Sequence, residues 1–397
     1  MNIKPNILYI TYDGLLEPLG QSQILSYLKI LSKDFNISIL SFEKKKDWLN
    51  EENVHAVKTL IDDYSLDWIS LSYSSKLTPI STLYDIAKGI YKALHIVLRR
   101  NAQIIHARGY ISVLIAFIVS KFKNLKIIFD MRGFWPDEKV ETGVWKKKNS
   151  NYFVFKFLEK QFFARADAIV SLTKVGVDRI KEMVNIEKNK VKTKVIPTCA
   201  DLELFSLHNE KPKKLVMAHV GAVESRYEFD KTLHIFNKIQ EITASELHII
   251  NKGEHNYIKD ILEQNKISLS NVKIFESIYF DMPDHLRKIS FGAFFPKKGY
   301  YLNGYFPTKL GEFLACGKLI VCGKVNEDVE TIINENKVGV IIDFEKDISV
   351  EDKLRELIDI SNSVGIAEKC RKVSENLFSA KKGARDYGSL YKSLLNQ

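Results

Sequence analysis

Short apolar runs alternate along the chain with longer segments whose apolar residues recur at helical spacing. In the first half the runs Asn6–Tyr12, Asn36–Phe42, Asp67–Leu71, Gln103–Ala107, Lys126–Asp130, Ala168–Leu172 and Lys194–Pro197 predict strands. Between them, Gln21–Lys33, with Ile24, Leu28 and Leu31 on one face, and Pro79–Arg99 predict amphipathic helices. Strands and helices in this alternation predict a parallel sheet with helices on both faces.

The polar stretch from Pro197 to Lys214 interrupts the pattern with two prolines, and a fresh apolar strand, Leu215–Val220, follows it. Further strands are expected near Glu246–Ile250, Val272–Phe275, Gly292–Phe295, Leu319–Cys322 and Val338–Ile342. The reading is an α/β protein of two doubly wound domains, 1–204 and 205–378, with a helical last segment at 379–397. The length agrees, since 397 residues exceed the ~250–300 at which one core stops growing.

Composition removes several classes. Hydrophobic residues make up 45% of the chain and charged ones 27%, with no low-complexity tract or short repeat, which excludes a disordered or fibrous protein. Asn6–Tyr12 runs straight into Asp13-Gly14 and lacks the basic flank and cleavage site of a secretory signal, so it reads as a strand. The longest apolar stretch, Tyr110–Val119, is about half of the ~20 residues a spanning helix needs. Cys199, Cys316, Cys322 and Cys370 are widely spaced and form no CxxC pair, pointing to neither a disulfide framework nor a zinc site and to a reducing cytoplasm.

Charge is uneven. Of a net +10, residues 1–200 hold 31 Lys+Arg against 20 Asp+Glu, and the remainder 28 against 29. That excess suits an anionic partner for the first domain, such as a membrane surface or a diphosphate-linked substrate, and equally suits a Lys-rich solvated surface. Nucleic acid is not expected as a partner, because no recognised binding motif accompanies the charge.

Ligands of open parallel sheets bind beyond the carboxyl ends of the strands, which directs attention to the residues after each strand. TYDGLLEPLGQSQ follows the first strand, where Gly14 and Gly20 permit close backbone approach and a helix opens with free N–H groups fit for a phosphate. HARGY and FDMRGFWPDE gather His106, Arg108, Asp130, Arg132, Asp137 and Glu138 near one rim. Asp130, a carboxylate ending an apolar strand, must be paired or solvated by a cleft; pairing with Arg132 and an acceptor-orienting or acid/base role are both open. In YFPTKLGEFLACGK, Thr308 reads as the cap of a helix approached through Pro307. Lys309 would face a diphosphate at its positive end, and Glu312 the vicinal hydroxyls of a ribose. A capping box, with Glu312 reaching back to Thr308, is the competing reading.

PTKLGEFLACG, together with YDGLLEPLGQSQ, IIHARGY, FDMRGFWPDE and KVIPTCAD, resembles glycosyltransferase family 4, retaining enzymes of the GT-B fold, over essentially the whole chain. The resemblance is to members that build bacterial capsule, O-antigen and other surface glycans. It implies two Rossmann-like domains facing a central cleft, a terminal helix crossing back to the first domain, and transfer of a sugar from a nucleoside-diphosphate sugar to a glycan or polyprenyl-diphosphate-linked acceptor. It also implies Glu312 on the donor ribose, Lys309 facing the diphosphate, Gly20 beneath it, and Asp130 beside the acceptor. His106, Arg108 and Arg132 would serve acceptor binding. Two departures stand out: Gly304 replaces a glutamate the family often has, and Ala222 replaces an arginine, leaving Arg226 as a substitute. An epimerase of the same fold, or a silent scaffold, are the alternatives.

No DxD triplet occurs, and DLE (201–203), DVE (328–330) and DFE (343–345) read as surface charge, so no metal is expected; Lys309, Arg226 and Lys297 would neutralise a departing diphosphate. The segment from Trp145 to Phe163 joins a triple lysine to five phenylalanines on an expected helix. It suits either a core helix or one lying on a membrane, making the protein cytoplasmic with possible peripheral attachment to the membrane's inner face.

Overall fold

The computed structural model describes residues 4–74, 79–207, 212–224, 226–346 and 349–396. Positions 208–211, inside the expected domain junction, and Ser225, in the loop before Arg226, lie outside the described residues.

Thirteen strands form two parallel sheets. The first holds β1 (Asn6–Thr11), β2 (Asn36–Glu43), β3 (Asp67–Ser72), β4 (Ile104–Arg108), β5 (Lys126–Asp130), β6 (Ala168–Ser171) and β7 (Lys192–Val195) in the order β3-β2-β1-β4-β5-β6-β7. The second holds β8 (Leu215–Val220), β9 (Ser245–Ile250), β10 (Val272–Phe275), β11 (Phe291–Phe294), β12 (Leu319–Gly323) and β13 (Gly339–Ile342) in the order β10-β9-β8-β11-β12-β13. Both orders reverse direction beside the first strand of the sheet, so each domain has a switch point where the loops after two neighbouring strands part and open a crevice. Every expected strand is present, within two residues at either end.

The expected helix Gln21–Lys33 is not regular. A turn at Pro18–Gly20 leads into a π-turn, Gln21–Leu25, before the α-helix Ser26–Leu31. The reason is local: Ser22 and Ser26, joined by a 2.5 Å hydrogen bond from the Ser26 hydroxyl to the Ser22 carbonyl, are buried with Gln21 and Gln23, and polar side chains compete for the backbone there.

Two chain segments cross between the domains side by side. The Ala200 N–H donates to the Phe378 carbonyl at 2.7 Å, and the Ala380 N–H to the Ala200 carbonyl at 2.9 Å. Beyond the second crossing, helix Ala380–Leu395 lies on the first domain and buries Tyr387, Leu390, Tyr391 and Leu394 in its core. Gly383 lets it approach Tyr27 closely.

The second sheet fixes helix Thr308–Ala315 through a contact that only glycine permits. A Cβ on Gly292 of β11 would stand 2.1 Å from the ring of Phe313, which is fully buried. Replacing Gly292 by Ala should therefore overpack this layer and cost about 1–3 kcal/mol. A lowered denaturation midpoint is the expected outcome, and an unchanged one would show that the helix can slide.

Candidate functional site

At the start of helix Thr308–Ala315 the N-cap is Pro307, not Thr308, and no side chain caps the helix. Proline's fixed φ supplies the entry, so Thr308 becomes the first helical residue, and the capping box does not form. Glu312 is fully buried. One carboxylate oxygen, Oε2, accepts from Lys309 Nζ at 2.8 Å, while Oε1 has no hydrogen-bond partner among the described residues. A buried carboxylate with an orphan oxygen costs stability, and a donor supplied to that oxygen would relieve the cost. The helix stands at the domain junction: the Thr198 hydroxyl donates to the Pro307 carbonyl at 3.3 Å, and Gly311 lies against Phe378 and Ala200.

The glycine loop after β1 differs from expectation. Its Leu15 and Leu16 N–H groups donate to the carboxylate of Glu43 at 2.8 and 3.2 Å, and the Gln21 N–H, read as free, donates to the Glu17 carbonyl at 3.1 Å. Gly20 is buried, and a Cβ there would stand 2.1 Å from the Gly14 carbonyl, so this glycine serves the loop's own folding. The loop after β8 repeats the device. Val223 and Glu224 N–H donate to the carboxylate of Glu254 at 3.0 and 3.3 Å, and Asn251 binds both Gly221 and Glu254. Glu43 ends an apolar strand, the same signal that singles out Asp130. Glu254 gives no such signal, because it ends no apolar strand but precedes helix His255–Gln264.

Arg226 reaches across the domains to Glu138 at 2.7 Å and is half-exposed. Lys297 holds the same loop, its N–H donating to the Arg226 carbonyl at 3.0 Å and its Nζ to the Glu224 carbonyl at 3.3 Å. Other ties join the domains. Glu141 accepts from the Tyr300 and Tyr301 N–H groups at 2.8 and 3.0 Å. Asp328 accepts from Lys174 and Val175 N–H at 3.1 Å each and so caps helix Lys174–Met183, which corrects its reading as plain surface charge. Gly304, where the family often has a glutamate, faces Gly133: a Cβ on Gly304 would lie 3.1 Å from the Gly133 Cα and from the Phe134 ring. Backbone and an aromatic ring fill the space a longer side chain would need.

His106, Arg108, Asp130 and Arg132 do come together, but beneath the terminal helix. Asp130 is fully buried, with Arg132 at 3.3 Å and Arg108 and His106 Nε2 at 3.4 Å. Burial pushes its pKa up, yet the Arg132, His106 and Arg108 partners pull it below the usual carboxylate range, so it stays ionised. His106 is buried and its pKa lowered by desolvation; its Nδ1 shares a 2.6 Å hydrogen bond with the Tyr391 hydroxyl of the terminal helix. Asp130 therefore has no proton to exchange at neutral pH, and Arg132 is the member of the cluster with the most exposed side chain. A separate interdomain cavity of about 1020 Å³, lined by Lys174, Phe306, Asp328 and Lys372 among others, contains none of the residues read from the sequence as catalytic, donor-binding or acceptor-binding. Volume alone does not locate the chemistry here.

Residues 202–378 match the family model of glycosyl transferases group 1. The whole backbone is similar to a sucrose-phosphate synthase from Thermosynechococcus elongatus, with TM-score 0.73, 11% identity, and 99% of this chain and 100% of that one covered. It is also similar to a glycosyltransferase from Rickettsia africae, with TM-score 0.67, 16% identity and 99% of each chain covered. HepE of Anabaena, solved in complex with UDP and glucose, gives TM-score 0.68 at 14% identity, over 98% of this chain and 100% of that one. No curated protein matches the sequence. At these identities the structural likeness shows the fold, which is GT-B, and the second domain matches the group 1 glycosyl transferases.

His219, on β8, provides a pH test of the loop beside Arg226. Burial pushes its pKa down to about 4, so it is neutral in the folded protein, where its Nε2 lies 3.2 Å from the Ala222 carbonyl. Its unfolded pKa is ~6.5, so the unfolded chain binds the proton first and stability falls as pH drops from ~6.5 toward the folded value. The loss from this one group is of order 3 kcal/mol. His219→Gln should flatten that limb of a urea-midpoint profile, and an unchanged slope would remove the assignment.

Proposed function

We propose that this GT-B chain, whose second domain matches the group 1 glycosyl transferases, is a retaining glycosyltransferase that uses a nucleoside-diphosphate sugar. The observation that carries the reading is Glu312: buried, ionically paired to Lys309 in the first turn of its helix, and left with one unpartnered oxygen. A ribose offers two adjacent hydroxyl donors to such a carboxylate. A diphosphate offers Lys309 a stronger anion and meets the helix's free N–H groups. The UDP bound by the Anabaena neighbour supports a nucleoside diphosphate as the ligand class.

The proposed reaction is metal-independent. Lys309, the helix N-terminus, Arg226 and Lys297 supply positive charge as the diphosphate departs, stabilising charge that develops only in the transition state. Arg226 must then exchange Glu138 for phosphate, so donor binding and the contact across the cleft compete for one guanidinium. The acceptor hydroxyl attacks from the face the diphosphate leaves, which retains configuration. Asp130 is a positioning residue that holds Arg132 at the acceptor side. The acceptor is a glycan or a polyprenyl-diphosphate-linked sugar in bacterial surface-polysaccharide assembly. The enzyme would work at the inner face of the cytoplasmic membrane, attached in part through Trp145–Phe163.

The Glu138–Arg226 pair and the Gly304 contact also suit a second reading, a silent relative that binds nucleotide and scaffolds other enzymes. Nucleotide binding without donor hydrolysis or transfer would favour it.

In the enzyme reading, Lys309→Ala abolishes turnover. Glu312→Gln weakens binding of a nucleoside diphosphate by about 1.5–3 kcal/mol but weakens binding of its 2′-deoxy counterpart less. Thermal shift gives the binding readout, since ligand at 100 times its dissociation constant adds about 2.7 kcal/mol of stability. Equal losses for the two nucleotides would remove Glu312 from the ribose.

A further inference from the structure

The outward face of the first domain carries a feature that the sequence pattern did not single out. Helices Pro79–Arg100, Tyr110–Val119 and Ser150–Arg165 cover one side of the first sheet. On the first of these, Ile80, Leu83, Tyr84, Tyr91 and Leu98 are 60–79% exposed. At about 100° per residue they fall on a single stripe, roughly a third of the circumference, along a helix about 33 Å long. Ile86, Ala93, Ile96 and Val97, on its opposite side, are buried in the domain core, so this helix is apolar on both faces. Helix Ser150–Arg165, which packs on Tyr110–Val119, adds Phe153, Val154 and Phe157, also exposed, whereas Phe162 and Phe163 are buried; only the first turns of the aromatic segment are available outside.

Charge on this face is one-sided. The three helices contain two acidic residues, Asp85 and Glu159, and both are buried. Asp85 is held by Tyr12, Ser74 and Lys88, and Glu159 by Tyr110 and Lys156. Arg99, Lys160 and Arg165 are exposed on the helices themselves, and Lys121 and Lys146 to Lys148 on the segments flanking them. None of these is in an ion pair with a described residue.

We propose that this helical layer, with the stripe of helix Pro79–Arg100 as its main contact, is the surface by which the protein lies on an anionic lipid bilayer. Exposed aliphatic and aromatic side chains would enter the acyl boundary while the surrounding lysines and arginines meet headgroup phosphates. The absence of an exposed carboxylate on the three helices selects an anionic surface over a mixed-charge protein partner. The first turns of the stripe are tied to the loop after β1, because the Tyr12 hydroxyl donates to Asp85 at 3.0 Å. Docking along this helix would therefore bring the carboxyl-end rim of the first sheet to the bilayer. The surface rests on the attachment proposed above, sharing the exposed start of helix Ser150–Arg165 with it, and adds the stripe of helix Pro79–Arg100 as the main contact.

The test is co-sedimentation of the full chain with vesicles of phosphatidylcholine alone and of phosphatidylcholine with phosphatidylglycerol. Binding is expected only to the second, weakened by salt. The double variant Tyr91→Ser, Leu98→Ser, remote from Lys309 and Glu312, should lower the partition coefficient roughly tenfold or more. Nucleotide binding by thermal shift should stay unchanged in that variant, which separates failure of this surface from failure of the transferase reading. Equal sedimentation of variant and wild type, or no binding to anionic vesicles, would overturn the proposal. So would a dimer in velocity sedimentation that the same two substitutions dissociate, because the stripe would then belong to a second copy.

Discussion

A backbone N–H taken out of water has to be paired, and at several of its strand ends and helix starts this chain pairs such groups with a carboxylate of its own. Glu43 and Glu254 close the loops after the first strand of each sheet. Glu141 and Asp328 reach across the domain boundary to cap the other domain's elements. The first pair makes each domain's cleft rim rigid on its own account; the second pair joins the two rims.

The consequence for chemistry is a narrowing of choice. The two rim loops spend these amides internally, while other groups at the domain junction remain incompletely engaged. Helix Thr308–Ala315 begins without a side-chain cap, and Glu312 keeps a free oxygen. Arg226 is engaged by a carboxylate that belongs to the opposite domain. Where native polar groups are only partly satisfied, the molecule holds affinity in reserve for something else.

The fold was readable from period alone, because strands buried on both faces and helices with one apolar face leave distinct traces. Lys126–Asp130 and Leu215–Val220 matched to the residue. Proximity was readable in two ways: Lys309 and Glu312 sit three apart in one helix and meet, and His106, Arg108, Asp130 and Arg132, at the ends of neighbouring strands, converge. The Thr308 cap was misjudged because proline at the preceding position supplies the same entry without a side chain. Glu141 and Asp328 could not be assigned from the sequence, since each finds its amides in the other domain. Gly304 looked like a loss, and the structure gives it a steric reason in the approach of Gly133 and Phe134.

The paired crossings at Ala200 and at Phe378 to Ala380 govern how the halves can move. A single connecting strand behaves as a swivel and leaves rotation free in three senses. Two strands hydrogen-bonded edge to edge behave as a strap hinge, stiff to twist and to lateral sway, with one soft axis.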